Sequence, residues 1–148
     1  MSQFDDLYRE IILDHYREPR NRGHIEQPDI AARGHNPLCG DEVNITMSLV
    51  EGRVVDVRFD GVGCSISQAS ASMLTELVEG KSLSEVERIA GLFKEMMLED
   101  GDSVEELGDL EALQGVKKYP VRIKCAILSW NTMLEGMEIF QKSKLGSG

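Results

Sequence analysis

Apolar and polar positions recur along this chain with two different periods, and the changes of period mark out its elements. From Phe4 to about Glu18, the residues Phe4, Leu7, Tyr8, Ile11 and His15 fall on one helical face, and Pro19 closes the helix. A Gly- and Pro-containing stretch, read as a flexible connection, then runs from Arg20 to Gly40. The period becomes two at Val43, Ile45, Met47 and Leu49 and again at Val55, Val57 and Phe59, which predicts two half-buried strands around a turn containing Glu51-Gly52. A three-residue loop, Val50-Glu51-Gly52, would place Gly52 at the left-handed position. Val43 then faces Phe59, Ile45 faces Val57 and Met47 faces Val55, and a one-residue slip would break the apolar match. Extended, that ladder sets Asp41 opposite Gly61 and Cys39 opposite Gly63, beside Cys64.

Helical spacing returns after Cys64. Ile66, Ala69, Met73 and Leu77 face inward on a helix that Gly80 ends, and small residues from Ser67 to Ser72 allow it to approach the sheet closely. A second helix from about Ser82 turns Leu83, Val86, Ile89, Ala90 and Phe93 inward. The acidic segment Met97 to Gly115 reads as a loop with short helical pieces. Pro120 opens a last helix carrying Ile123, Ile127, Trp130, Leu134 and Met137 on one face. No internal repeat is present, and one domain spans 1–148, with about 1–3 and 142–148 expected to fray.

Composition narrows the possible chemistry. A chain of 148 residues with 41% hydrophobic and 28% charged residues can bury a core without disulfides. Its formal net charge of −10 argues against nucleic acid, whose phosphates need clustered Lys and Arg, and against anionic membrane surfaces. No apolar run reaches the roughly 18 residues needed to cross a bilayer, and the start lacks a secretory pattern, so a cytoplasmic protein is expected.

Three cysteines in such a setting suggest ligands or reactive thiols rather than a disulfide framework, with three unrelated buried thiols as the alternative. Cys39 precedes a strand in NPLCGD, Cys64 joins a strand to a helix in GVGCSIS, and Cys125 lies in the first turns of the last helix. Helix N-termini favour thiolates and lower their pKa. Gly40, Gly61 and Gly63 permit close approach of the backbone to an ion. Asp41, two residues from Cys39, points the same way in an extended chain. Three thiolates and a carboxylate make the four ligands of a tetrahedral zinc site, and soft sulfur donors select zinc, copper(I) or iron–sulfur clusters. A turn-capping aspartate is the alternative for Asp41.

The blocks NPLCGD, GVGCSISQASASML and PVRIKC resemble the SufU branch of the IscU/NifU-N-terminal family over nearly the whole chain. The resemblance implies an α+β fold, a small antiparallel sheet packed by several helices with the ligands at one end. It also implies Cys39, Asp41, Cys64 and Cys125 as zinc or cluster ligands, and Cys39 as acceptor of persulfide sulfur from a SufS-type cysteine desulfurase. Arg122 then stabilises a thiolate or contacts the partner; a solvated helix-start arginine is the alternative. IscU-type members carry a histidine directly before the third cysteine, where this chain has Lys124, and lack the extra acidic segment between about Phe93 and Val116. Both features are similar to SufU. The activity implied is a zinc-dependent sulfurtransferase, with downstream iron–sulfur assembly proteins as further partners. A scaffold holding a transient iron–sulfur cluster is the alternative, ahead of a purely structural zinc domain or a hydrolase. His15 is expected in the core, and the acidic residues Glu105, Glu106, Asp109 and Glu111 on a solvated surface. His35 is disfavoured as a ligand.

Overall fold

The computed structural model describes residues 3–99, 101 and 105–146. The order of elements is α1 (Gln3–Arg17), β1 (Ile30–Asn36), β2 (Asp41–Val50), β3 (Arg53–Val62), α2 (Ser65–Val78), α3 (Leu83–Leu98), a 3-10 segment (Glu105–Val116) and α4 (Pro120–Gly146). The three strands form one antiparallel sheet in the order β1-β2-β3. One face of the sheet packs on helices, which is the α+β architecture expected.

The β2–β3 hairpin keeps its inward face but not its expected register. Glu51 and Gly52 form a two-residue turn, both with positive φ (51° and 77°), which brings Val50 opposite Arg53. Such turns twist in the same sense as the strands they join. The register then shifts between Ser48 and Leu49, because Val55 is an extra residue on β3. Ile45 therefore pairs with Phe59 and Met47 with Val57, two residues away from the expected ladder. An even shift preserves the pleat, so Val43, Ile45, Met47, Val57 and Phe59 are all buried, while Val54 replaces Val55 in the core.

The connection expected from Arg20 to Gly40 contains a full strand, β1. Its burial alternates, but its inward residues after Ile30 are Ala32 and Gly34. Small residues are required there because α4 crosses directly over the strand: a Cβ at Gly34 would collide with Thr132, and one at Gly136 would lie 2.9 Å from Ala32. Close packing of this kind removes the large apolar residues that mark a strand in sequence.

Helix α2 is enclosed on nearly all sides by α1, α4, β3 and the 3-10 segment. From Ser67 to Thr75 every residue is buried. The small residues expected to meet the sheet also bring α2 onto α4, where the Ser70 hydroxyl donates to the Ala126 carbonyl at 2.6 Å. Ser82 and Glu85 close a capping box at the start of α3. Trp130 of α4 is fully buried, its ring 5.3 Å from that of Phe93. On α1, His15 is buried as expected, whereas Leu7 is exposed and the Phe4 side chain lies outside the described residues. Residues 1, 2, 147 and 148 of the expected frayed ends also lie outside them, and α4 continues to Gly146.

The acidic segment is more than a solvated surface. The imidazole Nε2 of His15 lies 2.8 Å from the Asp109 carboxylate and its Nδ1 lies 2.8 Å from the Ser72 hydroxyl. Arg88 of α3 makes two hydrogen bonds to Glu106, at 3.0 and 2.6 Å. Leu107, Leu110 and Leu113 enter the core. The carboxylates are exposed as expected, but two of them anchor the segment.

Candidate metal centre

Cys39, Asp41, Cys64 and Cys125 come from three separate places in the fold. The turn 37–40 joins β1 to β2, and Cys39 lies on it, beyond the end of the ladder. Its N–H donates to the Asn36 carbonyl at 3.3 Å. Asp41 is the first residue of β2 and fully buried. Cys64 caps the N-terminus of α2, and Cys125 is the sixth residue of α4.

Three of these residues form a compact group. One ligand atom each from Cys39, Asp41 and Cys125 lies within 4.8 Å of the others. The Cys125 thiol donates to the Cys39 sulfur at 3.1 Å. Cys64 stands outside that trio but is tied to it: its N–H donates to Asp41 Oδ1 at 2.9 Å, and its sulfur interacts with Cys125 and with the Arg122 guanidinium. The corrected register explains the Asp41 contact. With the shift, Asp41 lies opposite Gly63 rather than Gly61, beside the Cys64 amide. Only a glycine fits at 63, since a Cβ there would lie 2.5 Å from both Asp41 Oδ1 and Ser67 Oγ.

The electrostatics depart from expectation at Cys125. Burial pushes its thiol well above the ordinary range, and the neighbouring Cys39, Asp41 and Cys64 add to the effect. Six residues into α4, its sulfur meets the Val121 carbonyl at 3.6 Å, so no free N–H groups of the helix start favour its thiolate. Arg122 is held more firmly protonated than usual, chiefly by the Cys64 charge. Cys125 adds to the same effect.

Asp41 tests whether these residues suit a metal. Its Oδ2 is buried and has no hydrogen-bond partner, although Oδ1 is satisfied by Cys64. A buried carboxylate oxygen without a partner is costly. A soft divalent cation beside the sulfurs of Cys39 and Cys125 would satisfy it, so this donor set fits zinc.

Sequence reasoning passed over Asn36. Its buried side chain donates from Nδ2 to the Cys125 sulfur at 3.8 Å and accepts the Leu38 N–H on Oδ1 at 3.2 Å. The NP dipeptide before Cys39 is a turn signal that would have pointed to the second contact. His35 faces the opposite side of β1 and is exposed, apart from the sulfurs. The other group of possible ligands among the described residues, His15 with Glu76 and Asp109, is centred on the His15 anchor described above, with Glu76 3.8 Å from the imidazole.

The fold thus brings a cysteine–aspartate cluster to one end of a three-stranded antiparallel sheet. The NifU-like N terminal domain matches residues 7–126, which include all three cysteines, and the chain belongs to that family. Among relatives, it is 46% identical over 138 residues to the zinc-dependent sulfurtransferase SufU of Bacillus subtilis, covering 92% of each chain. It is 38% identical to the iron–sulfur cluster assembly scaffold protein IscU of Streptococcus pyogenes, over 93% of this chain and 87% of that one. The crystal structure of a putative scaffold protein for the SUF system from Fervidobacterium islandicum superposes with a TM-score of 0.81 at 34% identity, covering 86% of this chain and 93% of that one.

Proposed function

We propose that this chain is a zinc-dependent sulfur-transfer protein of iron–sulfur cluster assembly, taking persulfide sulfur from a cysteine desulfurase in the cytoplasm. The observation that carries it is the unpartnered Asp41 Oδ2 buried beside the sulfurs of Cys39 and Cys125. Cys39, Asp41, Cys64 and Cys125 are the proposed ligands. Zinc, when bound, holds the thiols deprotonated at neutral pH and tempers their reactivity.

Cys39 is the proposed sulfur acceptor, as the resemblance to SufU implies; it lies half-buried on a turn, while Cys64, equally half-buried, starts a helix and Cys125 is buried within one. Released from its place, the Cys39 thiolate attacks the terminal sulfur of the donor's persulfide. The donor's S–S bond breaks, its thiolate leaves, and a persulfide forms on Cys39, so sulfur moves with no net oxidation. Arg122 lies where it can stabilise anionic sulfur during this exchange. Access is open: Leu38 before Cys39, Val62 near Cys64, and Val121, whose carbonyl meets Cys125, are each at least half exposed. Exposed apolar residues beside the basic Arg122 and Lys124 suit a desulfurase docking face. No helix among the described residues is long and apolar enough to cross a membrane.

The test is incubation of zinc-loaded protein with desulfurase and cysteine. A mass gain of one sulfur on the Cys39 peptide and faster desulfurase turnover are expected, both lost in Cys39→Ala. Unchanged stimulation by Cys39→Ala would reject the reading. A scaffold role is the second reading, favoured by the three-thiol donor set and by relatives named as scaffolds. Anaerobic reconstitution with absorption and Mössbauer spectra tests it, and no cluster at these cysteines would remove it.

A further inference from the structure

The residue that joins the moving sulfur to the fixed ones is Asn36. It ends β1 directly opposite Asp41 and is only 7% exposed. Three of its polar atoms are used within the sulfur cluster. Oδ1 accepts the Leu38 N–H at 3.2 Å, the backbone carbonyl accepts the Cys39 N–H at 3.3 Å, and Nδ2 donates to the Cys125 sulfur at 3.8 Å. One buried amide therefore clasps the turn that carries Cys39 and also supports a sulfur on a different element.

We infer that Asn36 is a positioning residue: its carboxamide clasps the Cys39 turn against the cluster and donates to Cys125, setting how readily Cys39 leaves. The inference rests on the reading of Cys39 as the ligand that departs. The two contacts have separable consequences. The Oδ1 bond to Leu38 is an Asx turn, which holds residues 37–40 in one conformation. Losing it frees the turn and exposes the Cys39 sulfur. The Nδ2 bond draws charge from the Cys125 sulfur once that sulfur is a ligand, and outer contacts of this kind orient and tune the ligands they touch. Asn suits both tasks at once because it offers an acceptor and a donor on one short planar group. Serine keeps the turn acceptor but is too short to reach Cys125.

Site-resolved alkylation separates this role from a general effect on stability. Wild type, Asn36→Ala and Asn36→Ser, zinc-loaded and metal-free, are treated with iodoacetamide. The ratio of Cys39 to Cys64 modification is read by peptide mass spectrometry. Asn36→Ala is expected to raise that ratio roughly five- to tenfold, the loss of one hydrogen bond, while Asn36→Ser stays near wild type. Competition with a chromophoric chelator is expected to show zinc held about tenfold more weakly by both variants. An unchanged ratio in Asn36→Ala, or equal ratios in the two variants, overturns the clasp. Wild-type zinc affinity in both variants overturns the donor role. If Asn36→Ala does not fold, Asn36→Ser decides both halves: a ratio raised more than about twofold, or wild-type zinc affinity, overturns the assignment. Should wild type take up no zinc, the proposed function fails, while the metal-free ratios still decide whether Asn36 clasps the turn.

Discussion

Asp41 and Cys125 show how single residues set the chemistry of this protein. Asp41 is held by the Cys64 amide on one oxygen, which leaves the other oxygen for a cation. That arrangement depends on the missing side chain at Gly63. Gly63→Ala would push a methyl group into the Asp41 carboxylate and lower zinc affinity about 10- to 100-fold without altering a ligand, measured by chelator competition. Cys125 predicts a pH dependence. Its folded pKa is raised above the ordinary value, mainly by burial, so the folded metal-free protein binds its proton more tightly than the unfolded chain does. The resulting stability is complete below about pH 9 and is lost as pH rises toward the folded value. Urea unfolding of the metal-free protein between pH 7 and 10.5 should show stability falling above about 9. Zinc uptake at neutral pH should in turn release the Cys125 proton, visible as buffer-dependent heat in calorimetry.

At the scale of elements, the ligands are positioned by contacts between segments far apart in sequence. Ser70 ties α2 to α4, fixing the helix that Cys64 caps against the helix that carries Cys125. His15 ties α1 to α2 and to the 3-10 segment through Ser72 and Asp109. His15→Leu should therefore destabilise the fold by about 1–3 kcal/mol, with hydrogen exchange rising first in residues 105–116, while zinc affinity changes little. Similar exchange throughout the variant would argue against an anchoring role. The Arg88–Glu106 pair is solvent-exposed on both sides, so Arg88→Ala should shift the melting temperature much less than His15→Leu does.

For the whole molecule, the cluster is a cross-link among a β1–β2 turn, the start of α2 and the start of α4. An unfolded chain has no such assembled set, so bound zinc would stabilise the folded state by an amount that grows as the logarithm of its free concentration over its dissociation constant. At a thousandfold excess this contributes about 4 kcal/mol, which for a domain of this size raises the melting temperature by roughly 10 °C. Chelation should reverse that shift, and a melting temperature indifferent to zinc would contradict it. Cys39 and Cys64 are half-buried at this end of the molecule, whereas Cys125 is fully buried beneath it.

The sequence by itself determined the helices, because their apolar positions recur over many turns and their ends carry Pro19, Gly80, Ser82 and Pro120. It also determined the inward faces of β2 and β3 apart from Val55 at the bulge, because those faces depend only on alternation and survive an even slip of register. The blocks around Cys39, Cys64 and Cys125 marked the four proposed ligands chiefly through the family resemblance they carry, since turn-capping or burial alone would also account for such residues. Only the tertiary structure decided the rest. β1 was hidden because α4 packs so closely that its inward positions are Ala32 and Gly34, and strand signals reside in large side chains. Register was decided by a turn and a bulge, whose geometry depends on two or three backbone angles rather than on hydrophobicity. The raised pKa of Cys125, the Asp41 contact that leaves its other oxygen open and the Asn36 contact to Cys125 arise between residues 23 to 89 positions apart. No local pattern encodes such meetings, because burial and proximity exist only once the elements have packed.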